Sequence, residues 1–198
     1  MRVFKLSDRE ILEQAAELIA TSPGGTRHLR TKDFAEKVQM TTANLHLRFR
    51  SPLMTTLVDE ISRLFYADLA SQADLALYLT PHASAEVQLR ALLWSVTSCY
   101  RRNHWFGRAL LREVERTNCD RLKVLKQFEI AIKKMREDGA VRPDTNPTLK
   151  SLMAFNLISD FIVAPQVQGG FPALSDQQII DLALEVVTES KVEPLCQT

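Results

Sequence analysis

The chain has 198 residues, 45% hydrophobic and 25% charged, with a formal net charge of +1, which is ordinary for a globular protein that buries a core. No apolar run approaches the roughly eighteen residues that cross a bilayer. The first eight residues turn polar too soon for a signal peptide. We therefore expect a cytoplasmic protein that makes no membrane contact.

The cysteines are few and far apart. Cys99, Cys119 and Cys196 are odd in number and include no Cys-x-x-Cys pair, which argues against a disulfide framework and against a structural zinc site. Buried or merely tolerated cysteine is the favoured interpretation, and a redox-sensing thiol is the alternative. The sequence predicts no metal and no cofactor.

Hydrophobic periodicity predicts an all-α fold of about nine helices, because no stretch alternates with the period of a strand. The first helix begins at a capping box formed by Ser7 and Glu10 and ends before Ser22. A fourth helix is predicted to begin with Ser51 at its N-cap and Pro52 at its first position. The other predicted spans are about 31–38, 42–48, 84–102, 105–117, 120–137, 148–163 and 176–190, and the fourth reaches about residue 79.

The segment from Gly25 to Pro52 is basic. It holds six lysines and arginines against two acidic residues, a net +4 within a near-neutral chain. Such a segment is typical of a surface that contacts phosphates. A solvated helix face could carry the same excess, so the charge alone leaves both interpretations open.

The second and third predicted helices have the pattern of a helix-turn-helix joined at Gln39-Met40-Thr41. Ala35 is small enough for the helices to cross closely, Met40 can plug the turn, and Leu45 can point inward. An ordinary helical hairpin of a bundle is the alternative. The side chains predicted to reach bases or phosphates are Arg27, Lys32, Thr41, Thr42, Ala43, Asn44, His46, Leu47, Arg48 and Arg50.

The run from Phe34 to Ser51 resembles the TetR family of bacterial transcriptional regulators, and the run 9–19 resembles the opening helix of that family. The resemblance covers roughly the first 60 residues. The family usually has glycine where this chain has Gln39, tyrosine where it has His46, and lysine where it has Pro52. Two of the family's phosphate contacts are therefore altered.

The resemblance implies a helix-turn-helix DNA-binding domain over residues 1–50 and a ligand-binding and dimerisation domain over 51–198. It further implies a homodimer whose two heads meet successive major grooves of a near-palindromic double-stranded DNA operator. Repression would be relieved when a small-molecule effector enters the second domain.

The last two predicted helices support a homodimer independently, because they are apolar over more than one face. Paired with their symmetry mates they would form a four-helix interface. The alternative is that both pack only on their own subunit. The predicted interface residues are Leu152, Phe155, Ile158, Phe161, Ile162, Ile180, Leu184 and Val187.

Aromatic residues at inward helical spacing predict a pocket for an apolar or aromatic effector. Plain core packing is the alternative at each position. The predicted ligand-binding residues are Phe65, Trp94, Tyr100, His104, Trp105 and Phe128.

Enzymatic activity is not expected. The sequence has no Gly-x-Ser-x-Gly elbow, no phosphate-binding glycine loop and no His-Glu-x-x-His motif, and Glu113 near Glu115 is interpreted as a solvated carboxylate. The alternative function is a helical dimeric interaction module of the same ancestry that has lost DNA binding and acts through a protein partner. His46 and Pro52 keep that alternative open.

Overall fold

The computed structural model describes residues 6–113, 119–163 and 174–188, without the side chain of Cys119. Within these ranges the chain forms nine α-helices and one 3₁₀ turn and has no strand, which confirms the predicted all-α class. The elements are α1 (Asp8–Thr21), the 3₁₀ turn (Gly25–His28), α2 (Thr31–Lys37), α3 (Thr42–Arg48), α4 (Leu53–Leu79), α5 (Ala85–Arg102), α6 (His104–Arg112), α7 (Cys119–Glu137), α8 (Pro147–Val163) and α9 (Asp176–Thr188). No helix of the described ranges is both long enough and apolar enough to cross a membrane.

The helix ends follow local capping chemistry. The capping box of α1 is confirmed: the Ser7 hydroxyl accepts the Glu10 N–H, and the Ser7 N–H donates to the Glu10 carboxylate at 2.7 Å. The Ser7 hydroxyl also donates to this carboxylate at 2.7 Å, and the two donors, chiefly the backbone N–H, lower the pKa of Glu10 from its ordinary value. Gly139, predicted to end α7, has a φ of +73°, as a glycine C-cap requires.

Most predicted helix ends agree with the structure to within about one residue, but the N-cap of α4 and the end of α6 do not. α4 begins at Leu53, because the Pro52 carbonyl is the first acceptor of the helix and receives the Thr56 N–H at 3.1 Å. Ser51 is therefore not its N-cap. α6 ends at Arg112 rather than at the predicted Thr117, and residues 114–118 lie outside the described ranges, as does the predicted end of the last helix at 190.

The described residues fall into two compact units. Unit 1 comprises 6–67 and 103–113, and unit 2 comprises 68–102, 119–163 and 174–188. α6 thus belongs to the same unit as the predicted helix-turn-helix, although it comes some fifty residues later in the chain. The functional boundary at residue 50 stays a prediction.

Each unit has its own core. In unit 1, α1 packs along α6, and Phe34, Leu45 and Leu57 are fully buried. In unit 2, α8 contacts α5, α7 and α9. The rings of Tyr100 and Phe128 meet Phe155 edge-on at centroid distances of 6.3 and 6.5 Å, a favourable aromatic geometry.

Candidate nucleic-acid interface

The crossing of α2 and α3 has the packing that the sequence predicts. Ala35 and Leu45 are buried, and Met40 in the turn is half-buried. The Met40 N–H donates to the Ala35 carbonyl at 2.9 Å, which closes the turn directly onto α2. The two helices are therefore joined rigidly, as a helix-turn-helix requires.

The turn passes through a left-handed residue. Gln39 has a φ of +53° and is the one non-glycine residue with positive φ among the described residues. That conformation brings Cβ close to the backbone, so it favours glycine. The turn consequently carries local strain at the position where the family that the sequence resembles usually has glycine.

α3 presents a continuous exposed face. Its N-cap is confirmed as Thr41, whose hydroxyl accepts the Asn44 N–H at 3.2 Å. Leu45 is the only buried residue of this helix. The rest of the helix is exposed: Thr42, Ala43, Asn44, His46, Leu47 and Arg48. This face combines hydrogen-bonding side chains with one large apolar side chain, Leu47, which is 84% exposed.

The predicted basic contacts are not equivalent. Arg48 donates to the Leu6 carbonyl at 2.8 Å and lies 3.4 Å from the Asp8 carboxylate. It therefore fastens the end of α3 to the start of α1. Lys32 lies 3.9 Å from Glu36 in a solvent-exposed pair that holds it only weakly.

Two arginines are exposed and more available to an external anion than Arg48 or Lys32. Arg27 in the 3₁₀ turn and Arg50 after α3 make no guanidinium hydrogen bond or ion pair within the part of the chain that the structure describes. The other basic side chains of the segment pair with carboxylates, as Lys37 does with Glu17 at 2.8 Å. Arg27 and Arg50 are the cations of this segment that remain for an external anion.

The end of α6 holds the turn that carries Arg27. Glu113 accepts the backbone N–H of Thr26 at 2.7 Å and its hydroxyl at 2.8 Å. Arg112 donates to the Ser22 carbonyl at 3.0 Å. Glu113 is thus not the free solvated carboxylate predicted from the sequence, because a carboxylate beside an unsatisfied N–H and hydroxyl is drawn to them. No sequence signal points to this contact, which joins residues 87 positions apart.

Of the comparisons with known proteins, the one with solved structures found matches. No protein-family model and no curated protein matches the sequence. Solved structures do match. PfmR, a TetR family transcriptional regulator from Thermus thermophilus, is similar with a TM-score of 0.70, 19% identity, and coverage of 92% of this chain and 97% of that one. Mycobacterium smegmatis AmtR is similar with a TM-score of 0.71, 19% identity, and coverage of 95% and 89%.

A third similar structure is the fatty acid degradation regulator FadR from Bacillus halodurans, with a TM-score of 0.61, 14% identity, and coverage of 91% and 98%. The chain has a TetR-like fold. That fold extends well beyond the first 60 residues, to which the resemblance in sequence is confined. Similarity of fold therefore covers about nine tenths of the chain, including residues that show no resemblance in sequence.

The structure distributes the predicted ligand-binding residues over both units. Phe65, His104 and Trp105 belong to unit 1, and Trp94, Tyr100 and Phe128 belong to unit 2. Phe65, Tyr100 and Phe128 are buried, whereas Trp94 is 38% exposed and His104 is exposed. The Trp105 ring is within cation–π distance of Arg108, whose guanidinium lies 5.2 Å from the ring centre. Burial lowers the pKa of Arg108. The effector pocket that the sequence predicts stays a prediction.

The predicted interface residues divide by burial. Leu152 is 39% exposed and Phe161 is half-buried. The remaining six pack inside their own chain: Phe155, Ile158, Ile162, Ile180, Leu184 and Val187. A side chain buried in its own subunit has no surface left to cover with a second copy, so these six support the helices from within. The homodimer itself stays a prediction.

The described residues contain no group of three or more histidine, cysteine or carboxylate side chains placed to hold a metal ion. Cys99 is buried in unit 2, and its thiol lies 3.6 Å from a carboxylate oxygen of Asp68.

Proposed function

We propose that the chain is a DNA-binding transcriptional regulator whose α3 reads the major groove. The observation that carries this proposal is the exposed face of α3, held rigid by buried Leu45, capped by Thr41 and fastened by Arg48. A helix of this kind fits the major groove, where each base pair presents a distinct pattern of donors, acceptors and methyl groups.

Three side chains of this face have chemistry suited to bases. The Asn44 amide can both donate to and accept from adenine, and the Thr42 hydroxyl can do either. Leu47, exposed at 84%, can contact a thymine methyl. We therefore expect an operator half-site that contains A·T pairs where α3 meets the groove.

Arg27 and Arg50 serve as the phosphate contacts in this proposal, because their guanidinium groups are exposed. Arg48 acts differently. Since it is engaged with Leu6 and Asp8, it orients α3 rather than reaching for the backbone of the DNA. These roles replace the two phosphate contacts that His46 and Pro52 alter.

A homodimer would place two such heads on one operator, with half-sites about 34–36 Å apart. The apolar side chains of α8 that remain exposed are suited to its interface: Leu149 at 53%, Met153 at 44% and Leu152 at 39%. Large exposed apolar side chains along one helix are typical of a contact surface.

We further propose that a small apolar or aromatic effector binds the chain and acts by a population shift, releasing a repressor from its operator. α4 contributes residues to both compact units, so a change in its tilt could link the effector to the head. An effector that bound tightly yet left operator affinity unchanged would contradict this mechanism.

The experiment is DNA binding by the purified protein to duplexes from its own upstream region at two salt concentrations. We expect affinity to fall steeply with salt, and the slope to fall by about one per head in Arg27→Ala and in Arg50→Ala. Arg142→Ala, in the loop between α7 and α8, is the matched control and should bind like the wild type. Absence of binding at low salt by a folded dimer would refute the proposal.

The exposure of Leu47 favours one other function, an interaction module that acts through a protein partner. In that case association should be insensitive to salt and should weaken in Leu47→Ser. If Leu47→Ser instead changes the preferred DNA sequence while Arg50→Ala weakens binding to all sequences, the regulator is supported and the module is excluded.

A further inference from the structure

We infer that Glu113 is a positioning residue for DNA binding: through Thr26 it holds the turn that presents Arg27 to a phosphate. The inference rests on the proposed function and adds a residue from outside the helix-turn-helix. Glu113 follows the last residue of α6 and, like the turn, belongs to unit 1.

Both oxygens of the Glu113 carboxylate accept hydrogen bonds from one residue, Thr26. Oε1 accepts the backbone N–H of Thr26 at 2.7 Å, and Oε2 accepts its hydroxyl at 2.8 Å. Two charge-assisted bonds to one residue fix its position and its orientation together. The arrangement restricts Thr26 more tightly than either bond would alone.

A second contact from the same end of α6 holds the preceding residues. Nη1 of Arg112 donates to the Ser22 carbonyl at 3.0 Å and to the Pro23 carbonyl at 3.3 Å. These carbonyls follow α1, where backbone acceptors lack helical partners. Arg112 and Glu113 therefore hold the segment 22–26 at both ends.

Gly25 makes the close approach of the carboxylate feasible. Its φ is +57°, and a Cβ at this position would lie 2.5 Å from Oε1 of Glu113, which is closer than any real contact. A side chain here would push the carboxylate away from the Thr26 N–H. Gly25, which the sequence marks only as part of a helix stop, thus also provides the space for Glu113.

Arg27 is the residue after Thr26, and its exposed guanidinium starts from the backbone that Glu113 fixes. A loop ordered before binding loses less conformational entropy when its arginine meets a phosphate. Without Glu113 the turn would have to be ordered at the moment of binding, and the contact made by Arg27 would be weakened.

The direction of the affinity change in Glu113→Ala distinguishes a positioning role from a purely electrostatic one. Removing a carboxylate near a DNA-binding surface should strengthen DNA binding if only charge matters. Positioning predicts the opposite result for Glu113→Ala, namely a loss of affinity that approaches that of Arg27→Ala and a salt slope lower by up to about one per head. Glu36→Ala on α2 removes the same charge from an exposed pair and should leave affinity equal or higher.

The test is a double-mutant cycle measured by operator titration of the full-length protein at several salt concentrations. In the combined Arg27→Ala, Glu113→Ala variant we expect no loss beyond that of Arg27→Ala alone, because both changes remove one contact. Additive losses, or a Glu113→Ala slope equal to that of the wild type, would overturn the inference. If the wild type shows no salt-sensitive binding, the proposed function fails first, and the two failures remain distinct.

A milder variant distinguishes a specific loss of DNA binding from a folding defect. Thr26→Val removes only the hydroxyl bond to Oε2 and keeps the N–H bond, so it should fold and weaken DNA binding less than Glu113→Ala does. Hydrogen exchange at the Thr26 amide should speed up in Glu113→Ala and stay slow in Glu36→Ala. Slow exchange in both variants would show that Glu113 does not hold the turn.

Discussion

Replacing Gln39 by glycine should stabilise the protein. Gln39 has a φ of +53°, which costs a residue with a Cβ about 1–2 kcal/mol. Glycine avoids that cost but loses about 0.5–1 kcal/mol more backbone entropy on folding. With the middle of each range, the net gain is about 0.75 kcal/mol. Little packing is lost, because the Gln39 side chain is exposed.

The backbone hydrogen bonds of the turn do not depend on the side chain. The Gln39 N–H donates to the Glu36 carbonyl at 3.2 Å, and the Met40 N–H donates to the Ala35 carbonyl at 2.9 Å. Both bonds should persist in Gln39→Gly, so the free energy of unfolding should report the relieved strain less the extra backbone entropy that glycine loses on folding. For a chain of this length the gain corresponds to a rise in Tm of about 1–4 °C.

The assay is thermal and denaturant unfolding at one fixed protein concentration, because assembly would shift the midpoint. Gln39→Ala keeps a Cβ and should remain within about 0.5 kcal/mol of the wild type. Gly139→Ala is the reciprocal control: its φ is +73°, and its added Cβ would meet nothing within 4 Å. It should therefore lose up to about 1 kcal/mol, because the backbone strain of an added Cβ outweighs the backbone entropy that alanine saves on folding.

A Gln39→Gly variant no more stable than Gln39→Ala would refute the reasoning at this turn, provided that Gly139→Ala loses stability as expected. If Gly139→Ala also unfolds like the wild type, the cost assigned to the left-handed conformation is wrong at both positions.

Three further predictions concern the core, the response to pH and assembly. Leu45→Ala should cost about 2–5 kcal/mol of unfolding free energy, because it opens a cavity in the core. Leu47→Ala, at an exposed position, should stay within about 0.5 kcal/mol of the wild type. Equal losses in denaturant titrations would contradict this reasoning. The hydrogen bond from Lys123 lowers the pKa of Asp74 from its ordinary value. The stabilisation that this pair contributes is therefore present above about pH 4 and is lost as the pH falls through the folded pKa. Asp74→Asn should flatten the acid side of the profile of unfolding free energy against pH, and an unchanged profile would show that the pair contributes nothing. Leu152→Glu should shift a dimer to a monomer in sedimentation without lowering helix content, and a persistent dimer would place the interface elsewhere.

Local features of the head could be predicted because their causes lie within a few residues. The capping box at Ser7 involves positions three apart, and the cap at Thr41 involves the start of one helix. Inward Ala35 and Leu45 follow from the period of the helix, which places residues on one face at fixed spacing. The left-handed turn at Gln39 follows from the geometry of the helix-turn-helix, whichever residue occupies it.

Burial in the body could not be predicted with the same detail. Helices that are apolar on several faces, such as α8, give no sign of which face meets their own subunit. The sequence therefore assigned eight residues to one interface, of which six are buried within their own chain. Only the packing of α8 against α5, α7 and α9 decides which apolar side chains remain exposed.

The sequence by itself determined the helices, their order and the character of the exposed α3 face, because these depend on periodicity and capping over short distances. Tertiary structure decided that α6 joins the helix-turn-helix in one compact unit and that Glu113 reaches Thr26, 87 positions away. It also decided that Arg48 is engaged while Arg27 and Arg50 stay exposed. Such long-range contacts depend on which surfaces meet when the chain packs, and neither composition nor periodicity predicts which surfaces those are.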